Sequence, residues 1–205
     1  MKTPQIKEDE VRDILRQNGV NEDSVSILAI RGYYLDSMGK VGRNDRRVYD
    51  DAMIIVSPDG ISSYQANTDP NGWRRGSGTG TNKGMASLAS GIHLFGIGKH
   101  KGKPAFRQCE PFTVIRDGNP PYRHIGMHAI NLHSGGYTST SSLGCQTIPK
   151  SEWNRFRKEM YALLKKFNNP KRKNDWGELV HCFPYVLLEE VDRRRENVVV
   201  SSRYL

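Results

Sequence analysis

The residues best equipped for chemistry are His133 and Cys145, twelve positions apart in the stretch HAINLHSGGYTSTSSLGCQTIP. A free thiol titrates near pH 8.5, so a cysteine that is to attack a carbonyl as thiolate needs a base or a cation beside it. An imidazole can take the thiol proton and later return it to a leaving amine. Met127, Ala129, Asn131 and His133 alternate as one face of a strand would, and the run ends at Ser134-Gly135-Gly136. Gly144 directly precedes the cysteine, and a glycine there lets the backbone approach a substrate closely. The N–H groups of Gly144 and Cys145 are then candidates for an oxyanion hole, at roughly 3–4 kcal/mol for each donor. The Gly, Ser and Thr residues between His133 and Cys145 have the reach to fold the two together.

Other reactive side chains read as structural. Cys109 in FRQCEPF and Cys182 in LVHCFPYV fall in apolar, strand-like runs and are expected as buried small hydrophobes. Three cysteines at wide spacing form neither a disulfide framework nor a CxxC metal site. His93, His124 and His128 have no Asp or Glu at ligand spacing, so no metal is expected and no cofactor motif is read. The Gly-rich segment 71–83 lacks the order of a phosphate-binding loop.

From His133-Ser134 to Ser142-Leu143-Gly144-Cys145 the chain resembles the signature of the L,D-transpeptidase catalytic domain, the YkuD-like family. That pattern is a strand ending in His-Gly or His-Ser, a Ser/Thr/Gly loop, then Ser-x-Gly-Cys. The resemblance implies Cys145 as acyl-accepting nucleophile and His133 as its base, with Ser134 orienting the imidazole through its carbonyl and Gly144 at the oxyanion. It puts Ser142 and Thr147 at the substrate-binding margin; the family commonly carries Arg or Asn where Thr147 stands. Leu143 replaces a common histidine, and the His-to-Cys loop is shorter than usual, which marks a divergent member. Arg107 and Arg123 are candidates for a stem-peptide carboxylate, since a guanidinium pairs with it bidentately. The implied substrate is the peptide stem of bacterial peptidoglycan, attacked at a meso-diaminopimelate–D-alanine bond or a 3–3 crosslink. Resolution of the thioester by an amine or by water separates a transpeptidase from a carboxypeptidase or endopeptidase.

The elements that must position these residues are mostly strands. SVSILAIRGYY, the pair VYDDAMIIVS and ISSYQANTD turning at Pro58-Asp59-Gly60, GIHLFGIG, PAFRQCEPFTVIRDG, IGMHAINLHSGG and ELVHCFPYVLLEEV read as strands. Helical spacing is confined to residues 6–18, stopped by Gly19, and to Ser151 (a candidate N-cap) through Phe167, with Trp153, Phe156, Met160, Leu163 and Leu164 on one face. The expectation is an α+β, β-rich mixed domain with an L,D-transpeptidase-like sheet core. Residues 1–23 form a helical attachment and 24–205 the catalytic domain, with the site opening into a groove walled by the 71–83 or 134–141 loop.

Composition narrows the partners. With 36% hydrophobic and 26% charged residues the chain is neither disordered nor membrane-spanning, as no run nears the roughly 20 apolar residues a bilayer needs. The net charge of +9 favours a polyanion such as an anionic cell wall. Nucleic acid is the alternative, with 165–173 and 193–195 as its footprint, but no stacking aromatics are interleaved there. MKTPQIKEDEVRDILRQNG has no apolar leader core. The expectation is synthesis in the cytoplasm without a Sec signal and action in the periplasm or wall, as a phage lysis enzyme or secreted effector would act.

Overall fold

The apolar runs SILAIR and DAMIIVS are buried on both faces and lie in the middle of the main sheet, where no side of a strand meets water. The computed structural model describes residues 2–76 and 82–195. In chain order the elements are α1 (Glu8–Gln17), β1 (Ser26–Arg31), β2 (Asp51–Ser57), β3 (Gly60–Ala66), β4 (Ala86–Leu88), β5 (Gly91–His100), β6 (Lys103–Gln108) and β7 (Phe112–Arg116). There follow β8 (Tyr122–Gly126), β9 (Asn131–Ser134), β10 (Gln146–Ile148), α2 (Lys150–Lys166), β11 (Lys171–Lys173), β12 (Leu179–Glu189) and α3 (Glu190–Arg193). The fold is α+β and rich in strands.

The main sheet runs β10-β9-β6-β5-β12-β1-β2-β3, with β11 added to β12, and β4-β7-β8 make a second, smaller sheet. Asn67, just beyond β3, exchanges backbone bonds of 2.8 Å in both directions with Thr147 of β10. The two ends of the path are thereby stitched together, and the sheet curls around one apolar face. That face takes α2: Trp153, Phe156, Met160 and Leu164 pack among Tyr64, Phe106 and Phe183, with Phe156 edge-on to Tyr64 at 5.0 Å. Strand alternation sends Leu28, Ile30, Ile54, Val186 and Leu188 to the other face, which Val11, Ile14 and Leu15 of α1 cover. Among the described residues no helix is long and apolar enough to cross a membrane.

Two local expectations are corrected. Ser151 lies inside the first turn of α2, which starts directly after Pro149 and has no side-chain cap. Pro149 holds the N-cap position with its ring-fixed φ of -51°, which suits entry to the helix but accepts none of the first-turn N–H groups. The single strand expected over Met127–His133 is broken between Gly126 and Asn131, and Ala129 turns the chain at φ +54°. The buried Gln108 amide replaces the missing ladder there. Its Nε2 donates to the Gly126 carbonyl (2.7 Å), and its Oε1 accepts the His128 N–H (2.9 Å).

Cys109 is only half-buried, and its sulfur lies 3.3 Å from that of the buried Cys182. Both sulfurs occupy the space that Gly96 leaves between their strands. A Cβ at Gly96 would meet them at 2.7 and 2.9 Å. Gly96→Ala is therefore expected to destabilise the fold by about 1–3 kcal/mol through overpacking. Urea unfolding should show that cost shrinking in a Cys109→Ala, Cys182→Ala background; an unchanged cost would mean the sulfurs are not the obstacle.

Three buried carboxylates, Asp50, Asp51 and Asp69, surround the inner end of β1. Arg31 reaches Asp69 (3.4 Å) and Glu189 (2.9 Å), while Asp51 accepts the Gly32 N–H. Burial pushes the Asp50 carboxyl up to about 6. The folded chain thus keeps a proton that the unfolded chain releases near pH 3.9. That contribution is full below about pH 4 and is lost as pH rises through 6. Asp50→Asn keeps the oxygen that accepts the Asp45 N–H (2.9 Å) and removes the charge. The variant should gain up to about 3 kcal/mol on wild type at pH 7.5 relative to pH 4. Equal differences in urea stability at the two pH values would refute this.

Candidate active site

The site is built on the parallel pair β9–β10, in which Thr147 stands opposite His133 and Gln146 opposite Leu132. Cys145, two residues before Thr147, falls level with Asn131, two before His133. The structure bears out that reading: Cys145 Sγ lies 3.9 Å from both Asn131 Nδ2 and the Ala129 carbonyl. Asn131 and His133 share one face of β9 by strand period.

His133 Nδ1 is 2.8 Å from the Ser134 carbonyl, so Nδ1 carries the proton and donates, leaving Nε2 as the acceptor. Its ring stacks on that of His100, at the end of β5, with centroids 4.7 Å apart and planes within 13°. His100 Nδ1 in turn accepts from Asn131 Nδ2 at 3.0 Å. Among the described residues His133 Nε2 has no hydrogen-bond partner, and the sulfur's contacts are to Asn131 and Ala129 rather than to the imidazole.

Glycine at 144 is obligatory. Its φ is +148°, and a Cβ would press on the Ala86 carbonyl of β4 well inside contact distance. Ser142 is buried, and its Oγ donates to the Cys145 carbonyl (2.6 Å) and accepts the Gly144 N–H (2.9 Å). Ser142 is thus a staple of the cysteine turn and presents nothing to a substrate. It also occupies the Gly144 N–H, so of the expected oxyanion pair only the Cys145 N–H is left as a candidate. Leu143 projects from the turn, 66% exposed.

The other expected binding residues are placed elsewhere. Thr147 is fully buried, with its backbone engaged by Asn67. Arg107 is buried and clasped bidentately by Asp175, with the Lys99 carbonyl at 2.6 Å and the Trp176 ring at 3.8 Å. A guanidinium so engaged has no fork left for an outside carboxylate. Arg123 is exposed on β8, and β7 separates that strand from β4, the one that meets Gly144. His93 is a core residue with Nε2 on the Ala89 carbonyl (2.8 Å), while the His124 and His128 rings meet at a tilt of 47° beside Arg116. Among the described residues no group of three or more His, Cys, Asp or Glu is arranged to hold a metal. The wall expected from segment 71–83 lies partly outside the described residues; its start is tied to the cysteine turn by Asn71 N–H to the Ser142 carbonyl (2.6 Å).

Sequence reasoning missed His100. Its run, KHKGK, reads as a basic turn, and its contact with His133 joins two strands, β5 and β9, that are far apart in sequence and not neighbours in the sheet. No protein-family model matches the chain, and neither the curated proteins nor the solved structures contain a match.

The electrostatics correct one further expectation, that of a resting thiolate. Burial lowers His133 to about 4, with the Ser134 carbonyl opposing and His100 and Lys101 adding to the drop. Burial raises the Cys145 thiol above its ordinary value, against the N–H donors of Asn131 and the charges of Lys101 and Arg107. At neutral pH the pair is thiol and neutral imidazole. The rate of Cys145 alkylation by iodoacetamide should therefore still be climbing above pH 9, read residue by residue by peptide mass spectrometry. A plateau reached by pH 7 would show an ion pair instead.

Proposed function

We propose that this protein is a cysteine acyl-transfer enzyme of the L,D-transpeptidase type, acting on the peptide stems of bacterial peptidoglycan. The observation that carries the reading is the anchored imidazole: His133 Nδ1 is held by the Ser134 carbonyl on the strand paired with the one that Cys145 leads into. Its free nitrogen is the one a general base needs. The net charge of +9 supports adsorption to an anionic wall, which is where such a substrate lies.

In this mechanism the substrate carbonyl enters beside Cys145, and the thiol proton passes to His133 Nε2 as the carbon–sulfur bond forms. Because both groups rest neutral, transfer and attack proceed together. The developing oxyanion is stabilised by the Cys145 N–H. Collapse breaks the peptide bond, the amine leaves with the proton held by His133, and a thioester remains on Cys145. An incoming stem amine then gives a new crosslink, or water gives a free carboxylate; in either case His133 takes the proton of the attacking group.

Cys145→Ala should abolish the conversion of purified muropeptides, and Cys145→Ser should be nearly as inactive, since a hydroxyl is a far weaker acid. His133→Ala should lose a factor on the order of 10²–10⁴. A carbapenem should add one drug mass to the wild type and none to Cys145→Ala, read by intact-protein mass spectrometry. Undiminished turnover by Cys145→Ala would overturn the assignment.

A further inference from the structure

We infer that His100 is a positioning residue of this site, acting on His133 through its stacked ring and on Cys145 through the Asn131 amide, so that the four side chains work as one unit. The inference rests on Cys145 and His133 being the reacting pair.

The Asn131 side chain is buried, and its NH2 group faces three acceptors with two hydrogens. The Ala129 carbonyl is nearest at 2.7 Å, His100 Nδ1 follows at 3.0 Å, and Cys145 Sγ is farthest at 3.9 Å. A carbonyl at 2.7 Å can face only the NH2 side, which fixes the amide's orientation. Oδ1 is left buried without a hydrogen-bond partner, a cost that the fold tolerates here. His100 and the sulfur therefore compete for one N–H. While the thiol is protonated, imidazole nitrogen is the better acceptor and holds that hydrogen. When the thiol ionises, sulfur draws it away. His100 thus moderates how much help the thiolate receives, and the same ring keeps the His133 imidazole flat against β5.

His100 must be neutral to accept at Nδ1. The charges around it favour that state: Lys101 is its neighbour, Lys103 is its partner in the β5–β6 register, and Arg107 acts from β6 with Asp175 clasped to it. Around Cys145 the charged groups are Lys101 and Arg107.

The test is the pH profile of Cys145 alkylation in the full chain, which requires no wall substrate and so reads separately from the muropeptide and carbapenem assays. His100→Phe keeps an aromatic face for His133 but removes the acceptor, freeing the Asn131 N–H for sulfur. Its profile should move to lower pH by about half a unit, a roughly threefold gain in rate below the thiol pKa. His100→Leu, a second acceptor-free variant, should move it the same way. His100→Gln retains an acceptor oxygen and should leave the profile close to wild type. In an Asn131→Ala background the shift caused by His100→Phe should vanish, because the coupling runs through that amide. Superimposed profiles for wild type and the acceptor-free variants, or an equal shift with and without Asn131, would overturn the inference. A slower rate with no movement along the pH axis would show a purely structural role and would overturn it as well.

Discussion

Everything at the candidate site depends on the pairing of two short parallel strands joined by eleven residues. Parallel strands usually need a crossover of a dozen residues or more, most often a helix, so so short an irregular link has to be held from outside. The fold supplies those holds from distant parts of the chain. Tyr49 Oη lies between the Gly136 and Ser139 carbonyls at 3.0 and 3.1 Å. Gly135 N–H bonds the Ile148 carbonyl, Asn71 bonds the far end of the link, and Asn67 closes the outer edge of β10. Each such bond contributes about 1 kcal/mol net, which offsets only part of the roughly 1–2 kcal/mol per residue that ordering the link costs, so the packing around it must supply the rest. The glycines at 135 and 144 are part of the same device, since a side chain at either would strike Tyr49 or the Ala86 carbonyl.

The resting state of the pair follows from where this device sets it. Both groups are largely withdrawn from water, and desolvation is the largest influence on each, disfavouring imidazolium at His133 and thiolate at Cys145. Lys101 acts on both in opposite senses, favouring the thiolate and opposing the imidazolium. Transfer of a proton from sulfur to nitrogen creates one charge of each sign a short way apart, so the field of a single lysine largely cancels over that step. In the proposed reaction, what lowers the barrier must come from donors fixed near the sulfur and from the carbonyl that holds Nδ1. This is why the Asn131 amide and the Ser134 carbonyl matter more here than the surplus of positive charge.

The sheet was legible wherever burial and period agreed. β1, β2 and β12 are long apolar runs, and the turn at Pro58–Gly60 announces its hairpin; α2 shows its stripe of Trp153, Phe156, Met160 and Leu164 at helical spacing. The failure came at residues 127–130, where alternation continues through a bend. Period alone cannot register that break, because Gln108, from another strand, supplies the hydrogen bonds that make the bend possible. The curl of the main sheet was equally hidden, since it depends on one bridge between residues eighty positions apart.

The site shows the same division in sharper form. His133, Ser134, Gly144 and Cys145 are close in sequence and carry a local pattern, so the chain marks the paired strands and the turn that hold them. It does not mark that the sulfur meets Asn131 and Ala129 rather than the imidazole. Charged partners could not be read. A buried guanidinium is tolerated only when a carboxylate meets it, and the sequence does not say which carboxylate will. Arg107 finds Asp175 across sixty-eight residues, and Arg46 finds Asp117 across seventy-one. An arginine in an apolar strand is therefore weak grounds for a ligand site: burial demands a partner, and a partner from the same chain satisfies that demand before any substrate arrives. The cations left on the surface are those that no buried carboxylate has claimed, the exposed Lys101 beside the histidines among them.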